Sequence, residues 1–488
     1  MQQEDTAMKK FIILAALAAM ALTACQQEIA IEENQPAGTV VFTATTESAP
    51  ATKTALSYND PNYDVVWSSG DKITIVDGAG TPNMGVYSTT STTTHADFTF
   101  SSGTEVTTPN YNAWYPSDIY NSGTPTLPAT QTYVAGNISG SPMYAESSTN
   151  SLAFKNICGI IRLNVSTTQS GKKVRAIILS ATQGMSGAIS NHTTLASAGY
   201  VATVTGTAGV ALNCGASGVS ISSTATPFFI AVPQNDYTSL KITVVATDGT
   251  IQTRTANTTI SVARSQITDI SLSFDSMAAI SNLVHYWPFN GNLNDAVSEG
   301  AINATFISSS ETHDATLTAD RNGNANSAYS FDGYNIMSIG RAGDFGTSSF
   351  TANMWISTTA GTYINTLIRT EGSSGGAGWF IRFDNSGTEI WASSYQYIST
   401  TTINDGNWHM ISFVHDTNNK VGQLYVDGVY KGGYTMSDIR NVSSDATHTH
   451  VIGSGTHYRH CVYEGKMDEV RLYNKALTAD EIAALYTL

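Results

Sequence analysis

The stretch Asn407–Gly432, NWHMISFVHDTNNKVGQLYVDGVYKG, limits the possible folds more than any other part of the chain. Its apolar and polar residues alternate with a period of two. Met410, Ser412 and Val414 share one face, and Ile411 and Phe413 the other, which is the spacing of a strand and not of a helix. Asp416-Thr-Asn-Asn-Lys420 interrupts the alternation with turn formers. Val421-Gly-Gln-Leu-Tyr-Val426 resumes it, and Asp427-Gly428 supplies a two-residue hairpin turn before Val429-Tyr430. The stretch is therefore a meander of antiparallel strands and not a catalytic loop.

Three further pieces flank it: Tyr286-Trp-Pro-Phe-Asn-Gly291, Tyr329-Ser-Phe-Asp-Gly333 and Gly465-Lys-Met-Asp-Glu-Val-Arg-Leu-Tyr473. In this order they resemble the laminin-G-like, concanavalin A-like jelly roll. Thr478-Ala-Asp-Glu481 forms a capping box that opens a short terminal helix at Ile482-Ala-Ala-Leu-Tyr486, and such a helix ends many domains of this kind. The resemblance covers 283–488, after a linker at 276–282.

Upstream, Val65-Val-Trp-Ser-Ser-Gly-Asp-Lys-Ile-Thr-Ile-Val76 follows a Lys between threonines, Thr52-Lys-Thr-Ala-Leu56. Tyr111-Asn-Ala-Trp-Tyr-Pro116, Leu127-Pro-Ala-Thr-Gln131 and Leu152-Ala-Phe-Lys-Asn-Ile-Cys-Gly-Ile-Ile-Arg-Leu-Asn-Val165 continue the series. Together they resemble the fimbrillin (Mfa-like) family of type V pilus proteins, over residues 40–274. Short alternating strands punctuated by Gly and Pro read independently as all-β. The expected architecture is all-β: two tandem fimbrillin-like β-sandwich lobes, at 39–151 and 152–275, followed by the jelly roll. Trp67 and Trp114 are expected core anchors, and Gly70-Asp71 a turn with no catalytic role.

The N-terminus reads as an export signal. Met8-Lys-Lys10 precedes an apolar run from Phe11 to Leu22 that is too short to span a membrane. It ends in Leu22-Thr-Ala-Cys25, which resembles a bacterial lipobox. That resemblance implies a signal peptide at 1–24 and a lipidated Cys25 anchoring the chain to the outer membrane. Residues 25–38 are polar and acidic, and read as a tether.

Charged residues make up 12% of the 488-residue chain, about half of the ~25% usual in soluble domains. The formal charge of −15 argues against nucleic acid, whose phosphates need clustered Lys and Arg. Cys25, Cys158, Cys214 and Cys461 fit no zinc spacing. Cys158 lies in an apolar strand and reads as a small buried residue, with a bridge to Cys214 left open. Asp275-Ser276-Met277 resembles an O-glycosylation acceptor, with a plain loop as the default reading.

Chemistry-bearing residues are sparse. A retaining glycosidase needs two carboxylates about 5 Å apart, and no E-x-D-x-E strand occurs. Asp468 and Glu469 are adjacent and so point to opposite faces of a strand. No G-x-S-x-G turn is present either. The chain is therefore not expected to be an enzyme. The jelly-roll resemblance implies a calcium site, which maps onto Asp295, Asn303 and Asp468, with simple turn carboxylates as the competing reading. His448 and His450, with His457, His460 and Cys461 nearby, form a cluster that reads either as a metal pair or as polar residues rimming a loop. Trp379, Trp391, Tyr395, Tyr397 and Tyr458 lie between framework motifs and are candidates for stacking on a sugar, whereas Trp287, Trp355 and Trp408 belong to framework strands.

These readings converge on a surface adhesin, the tip subunit of a fimbrium. It would bind glycan or glycoprotein through its C-terminal domain and join other pilin subunits by strand exchange, with Lys53 as the processing site. A glycan-capturing lipoprotein of a polysaccharide-uptake system is the alternative, and a glycoside hydrolase a more distant one.

Overall fold

The computed structural model describes residues 40–46, 55–59, 62–121, 123–138, 141–191, 202–297, 300–307, 314–361, 364–370, 378–398, 403–445, 448–453 and 463–488. Cys25, Lys53, His457, Tyr458, His460 and Cys461 lie outside them. The described chain is nearly all strand, and among the described residues no helix is long and apolar enough to cross a membrane.

The first body is a closed barrel. Its seven strands run, in spatial order, Phe42–Thr46, Ser151–Asn156, Met143–Ser147, Tyr111–Tyr115, Lys72–Val76, Met84–Ser88 and His95–Gly103. Phe42–Thr46 closes it, pairing parallel to Ser151–Asn156 and antiparallel to His95–Gly103. Alternation sets which side chains enter: Phe42 and Ala44 are buried while Thr43 is exposed. Trp67 fills the barrel with its ring edge-on to Phe98, Tyr115 and Phe154 at 5.0, 5.4 and 5.5 Å, the geometry the ring quadrupoles favour.

The expected boundary after residue 151 falls inside a strand. Ser151–Asn156 belongs to the barrel, and the next sheet starts at Cys158. The division is also crossed earlier. Thr130–Val134 leaves the barrel to pair with Gly209–Asn213, and Thr124–Leu127 pairs with Ser186–Ser190. The second body packs the sheet containing Lys173–Ser180, Gly209–Asn213 and Lys241–Ala246 onto a three-stranded sheet of Thr226–Pro233, Cys158–Ser166 and Ile267–Ser273. Gln131 ties the two sheets together. Its amide donates to Ala231 O at 2.7 Å and accepts from Ala231 N at 2.9 Å. Cys158 and Cys214 are free thiols, and burial pushes both up to about 12.

The third body is a jelly roll of two antiparallel sheets. One runs in the order Thr316–Thr318, Ala328–Asp332, Glu464–Tyr473, Phe350–Ser357, Trp408–Asp416, Val421–Val426, Val429–Thr435, with Leu283–Trp287 also on Glu464–Tyr473. The other runs Thr305–Phe306, Met337–Ser338, His450–Ile452, Asn365–Thr370, Trp379–Asp384, Gly387–Ala392, Ser394–Ile398. The meander forms as its alternation predicts. Ile411 and Phe413 enter the core between the sheets, and Met410 and Val414 face the opposite way. Asp427 and Gly428 both have positive φ, 53° and 77°, as a type I′ turn requires.

The terminal helix, Ala479–Thr487, has its expected capping box between Thr478 and Glu481. Ile482 and Leu485 pack on Trp355, Met410, Val414 and Tyr425 of the first jelly-roll sheet. Its other side, Ala483 and Ala484, meets Ala176, Ile178 and Val245 of the second body.

Gly422 tests how tightly the meander is packed. A Cβ there would lie 2.2 Å from the ring of Tyr434, whose hydroxyl donates to Ala392 O at 2.5 Å across to the other sheet. Gly422→Ala should destabilise the jelly roll by about 1–3 kcal/mol, read as a lowered thermal midpoint. An unchanged midpoint would show that the ring is free to move aside.

Candidate functional site

Strands Trp379–Asp384 and Gly387–Ala392 pair so that Phe380 stands opposite Trp391 and Arg382 opposite Glu389. Alternation sends Trp379, Ile381, Phe383, Ile390 and Ala392 into the core. It leaves Phe380, Arg382, Glu389 and Trp391 on the face turned away from it, all partly exposed. Asn365–Thr370 adds Arg369 opposite Phe380, and Ser394–Ile398 places the Tyr395 and Tyr397 positions opposite Trp391 and Glu389. The side chains of Tyr395 and Tyr397 are outside the described residues.

The outward residues form one stack. Arg382 Nε donates to Glu389 Oε2 at 2.7 Å, and its guanidinium lies 4.6 Å over the Phe380 ring. Phe380 stacks on Trp391 with centroids 5.5 Å apart and planes 19° from parallel. Cation–π attraction and ring stacking each contribute about 0.5–1.5 kcal/mol at such sites. They hold the indole in place before any ligand arrives. The result is a partly exposed aromatic surface bordered by a guanidinium and a carboxylate, the residue types that recognise a sugar by stacking and directed hydrogen bonds.

The expected site residues divide. Trp391 belongs to this surface. Trp379 does not: it is fully buried, its indole N–H donates to Gly343 O at 3.0 Å, and it packs 4.9 Å from Phe350. One residue along a strand reverses the face, and the run Trp-Phe-Ile-Arg-Phe-Asp has aromatics on both parities. The polar residue shows which parity faces out, since Arg382 shares a face with Phe380 and not with Trp379. Phe380, Arg382 and Glu389 are the residues that motif reading missed. Of the framework tryptophans, Trp287 and Trp355 are buried, whereas Trp408 is only partly so.

Of the residues assigned to calcium, Asp295 and Asn303 are already engaged within the protein, whereas Asp468 Oδ1 is buried with no hydrogen-bond partner among the described residues. Asp295 Oδ1 accepts from Tyr286 N and Val297 N at 2.9 and 3.1 Å, and Oδ2 accepts from Ile302 N at 3.0 Å and pairs with His285 Nδ1 at 2.6 Å. Asn303 Oδ1 accepts from Asp295 N at 3.0 Å. Burial pushes the Asp295 carboxyl up, but these donors together hold it below the ordinary range. Its oxygens therefore staple a loop and are not open to a hard cation. Asp468 lies 3.6 Å from the Arg321 guanidinium, a cation already in place. Burial, with Glu469 next to it, raises its carboxyl to about 7. Among the described residues no group of three or more His, Cys, Asp or Glu is placed to hold a metal ion.

The histidines separate too. His448 pairs with Asp445 at 2.5 Å near the surface, whereas His450 is fully buried between Asp344 and Thr370 at 3.0 and 3.1 Å. Glu469 is bound to Arg471 and to the Tyr286 hydroxyl, so Asp468 and Glu469 make no pair of free catalytic acids.

Residues 331–483 match the family Laminin_G_3, described as the concanavalin A-like lectin/glucanases superfamily. This part of the chain is a concanavalin A-like domain. No curated protein matches the chain. Among solved structures, domain 4 of a GH43 extracellular arabinanase from Geobacillus stearothermophilus, in complex with arabinotriose, is similar at 21% identity and a TM-score of 0.34, covering 42% of this chain and 98% of that one. The botulinum neurotoxin serotype D ligand-binding domain in complex with N-acetylneuraminic acid is similar at 16% identity and a TM-score of 0.31, covering 42% of this chain and 50% of that one.

One buried group in this domain makes its stability depend on pH. His415 is fully buried, neither ring nitrogen has a hydrogen-bond partner among the described residues, and burial pushes it down to about 4. The unfolded chain then binds a proton that the folded one refuses. The contribution is fully present above about pH 6.5 and is lost as pH falls through 4, with a full span of about 3 kcal/mol. His415→Leu should flatten the loss of stability between pH 7 and 5 in urea unfolding. Equal slopes for both proteins would refute this assignment.

Proposed function

We propose that the chain is a carbohydrate-binding adhesin whose jelly roll engages glycan or glycoprotein through the Phe380–Trp391 surface. The observation that carries this reading is the Arg382–Phe380–Trp391 stack, an ordered aromatic surface on the outside of a concanavalin A-like domain. Stacking a sugar on Trp391 removes apolar C–H surface from water at about 25 cal/mol per Å². Part of that is offset by the freedom lost on binding, so affinity per site is modest and several copies acting together supply avidity. Trp391→Ala should weaken glycan binding by about tenfold or more in titrations of the full chain against a glycan panel, with the thermal midpoint retained. If no glycan on the panel binds the unaltered protein, the reading is wrong.

The same proposal places the protein on the cell surface, at the outer membrane, held before processing by a lipid on Cys25 and, after processing, built into a fimbrium as its tip subunit. Support comes from the barrel. Its closing strand, Phe42–Thr46, is the first described strand, and it is followed by the segment that contains Lys53. Cleavage there would free the strand and open a slot in which a neighbouring pilin could complete the sheet by backbone pairing. The jelly roll follows the last sandwich strand, so the subunit accepts a strand and donates none. Cys25→Ala in a chain kept unprocessed by Lys53→Ala should shift the protein from the membrane fraction to the soluble one, and an unchanged distribution would exclude the anchor.

A further inference from the structure

The face that carries Trp391 also states the charge of its ligand. Arg369, Phe380 and Trp391 stand side by side on three neighbouring strands, about 4.8 Å apart from strand to strand. Arg382 and Glu389 form the adjoining row. Among the described residues Glu389 is engaged by Arg382 Nε alone, and Arg369 Nε donates to Thr370 O at 3.2 Å. The terminal nitrogens of both arginines have no partner among the described residues. The two rows therefore present two guanidiniums against one carboxylate, on a chain whose formal charge is −15. A partly exposed arginine fork set beside an aromatic ring is matched by a planar carboxylate attached to a sugar ring. The ring takes the stacking contact and the fork takes two parallel charge-assisted hydrogen bonds.

We infer that this surface selects sugars bearing a carboxylate, Arg382 and Arg369 holding the acid group while Trp391 stacks on the ring. The inference rests on the Phe380–Trp391 surface being the glycan site. Two sources share this chemistry: uronate units within a polysaccharide, and a terminal sialic acid on a glycoprotein.

The test titrates the full chain with trigalacturonate and its carboxyl-reduced form, and with sialyllactose and lactose. One acidic ligand should bind about tenfold or more tighter than its neutral counterpart, and the preference should shrink as salt rises. Which of the two shows it identifies the source. Arg382→Gln should abolish the preference while leaving weak neutral binding, and Arg369→Gln should reduce it. Trp391→Ala should weaken acidic and neutral ligands alike. Thermal midpoints check folding, and Arg369→Gln stands in if Arg382→Gln does not fold. Equal affinity for each acidic and neutral pair, or a preference unaltered in both arginine variants, overturns the inference while the glycan site stands. Loss of all binding in Trp391→Ala with no acidic preference supports the site alone and counts against acid selection.

Discussion

The packing of the terminal helix decides which surface of the jelly roll is left to meet a ligand. A two-sheet sandwich has two outer faces, and an apolar outer face must be covered. The sheet carrying Trp355, Met410, Val414 and Tyr425 is apolar on its outside, and Ile482 and Leu485 of the helix cover it. The helix in turn rests on Ala176, Ile178 and Val245 of the preceding body. One face is thus consumed by attachment. The other, with Phe380, Arg382, Glu389 and Trp391, is left partly exposed. Attachment and presentation follow from the same arrangement, since a domain docked through one sheet points its other sheet away.

The exposed face is ordered by its own contacts. An isolated tryptophan on a strand keeps rotamer freedom that a ligand must remove, at about 0.5–1.5 kcal/mol per side chain. Here the indole lies on Phe380, Phe380 lies under the Arg382 guanidinium, and Glu389 fixes that guanidinium through Nε. Each member limits the next. The contact that orders the ring uses Nε, and the terminal nitrogens of Arg382 have no partner among the described residues.

Much of the fold was legible because a strand's period of two is written directly into the sequence. The Trp408–Asp416 and Val421–Val426 strands, the Asp427-Gly428 turn and the Thr478–Glu481 cap all rest on local rules, and all formed as read. What local rules do not carry is parity against a partner sheet. Trp379 and Phe380 differ by one residue, and only the position of the core decides which is buried. The structural role of Asp295 was hidden for a related reason. A carboxylate is visible in a sequence, but the backbone N–H groups that converge on Asp295 from Tyr286, Val297 and Ile302 are not. The boundary after residue 151 failed because the chain between Thr124 and Val134 pairs with strands beyond Ser186 and Gly209, and pairing over such distances leaves no mark in local patterning.

That long-range pairing bears on how the three bodies act together. The barrel cannot separate from the second body as a bead on a string, because Thr124–Leu127 and Thr130–Val134 are interior to the barrel's own sequence and sit in the neighbour's sheets. Gln131 pairs with Ala231 on both of its polar atoms, so pulling that strand out strands two buried backbone groups. At the other end the jelly roll is held by a mixed contact. Arg175 donates to the carbonyls of Thr487 and Leu488, Lys241 pairs with Asp480 at 3.0 Å, and Ser180 donates to the same carboxylate at 3.1 Å. Beneath them lie the small apolar side chains that let helix and sheet approach closely. To swing the jelly roll on the second body, this polar ring must break and the alanine contact must be wetted together. Orientation of the Trp391 surface is therefore set by the same residues that bury the helix, and it is transmitted through interlocked sheets to the strand that closes the barrel.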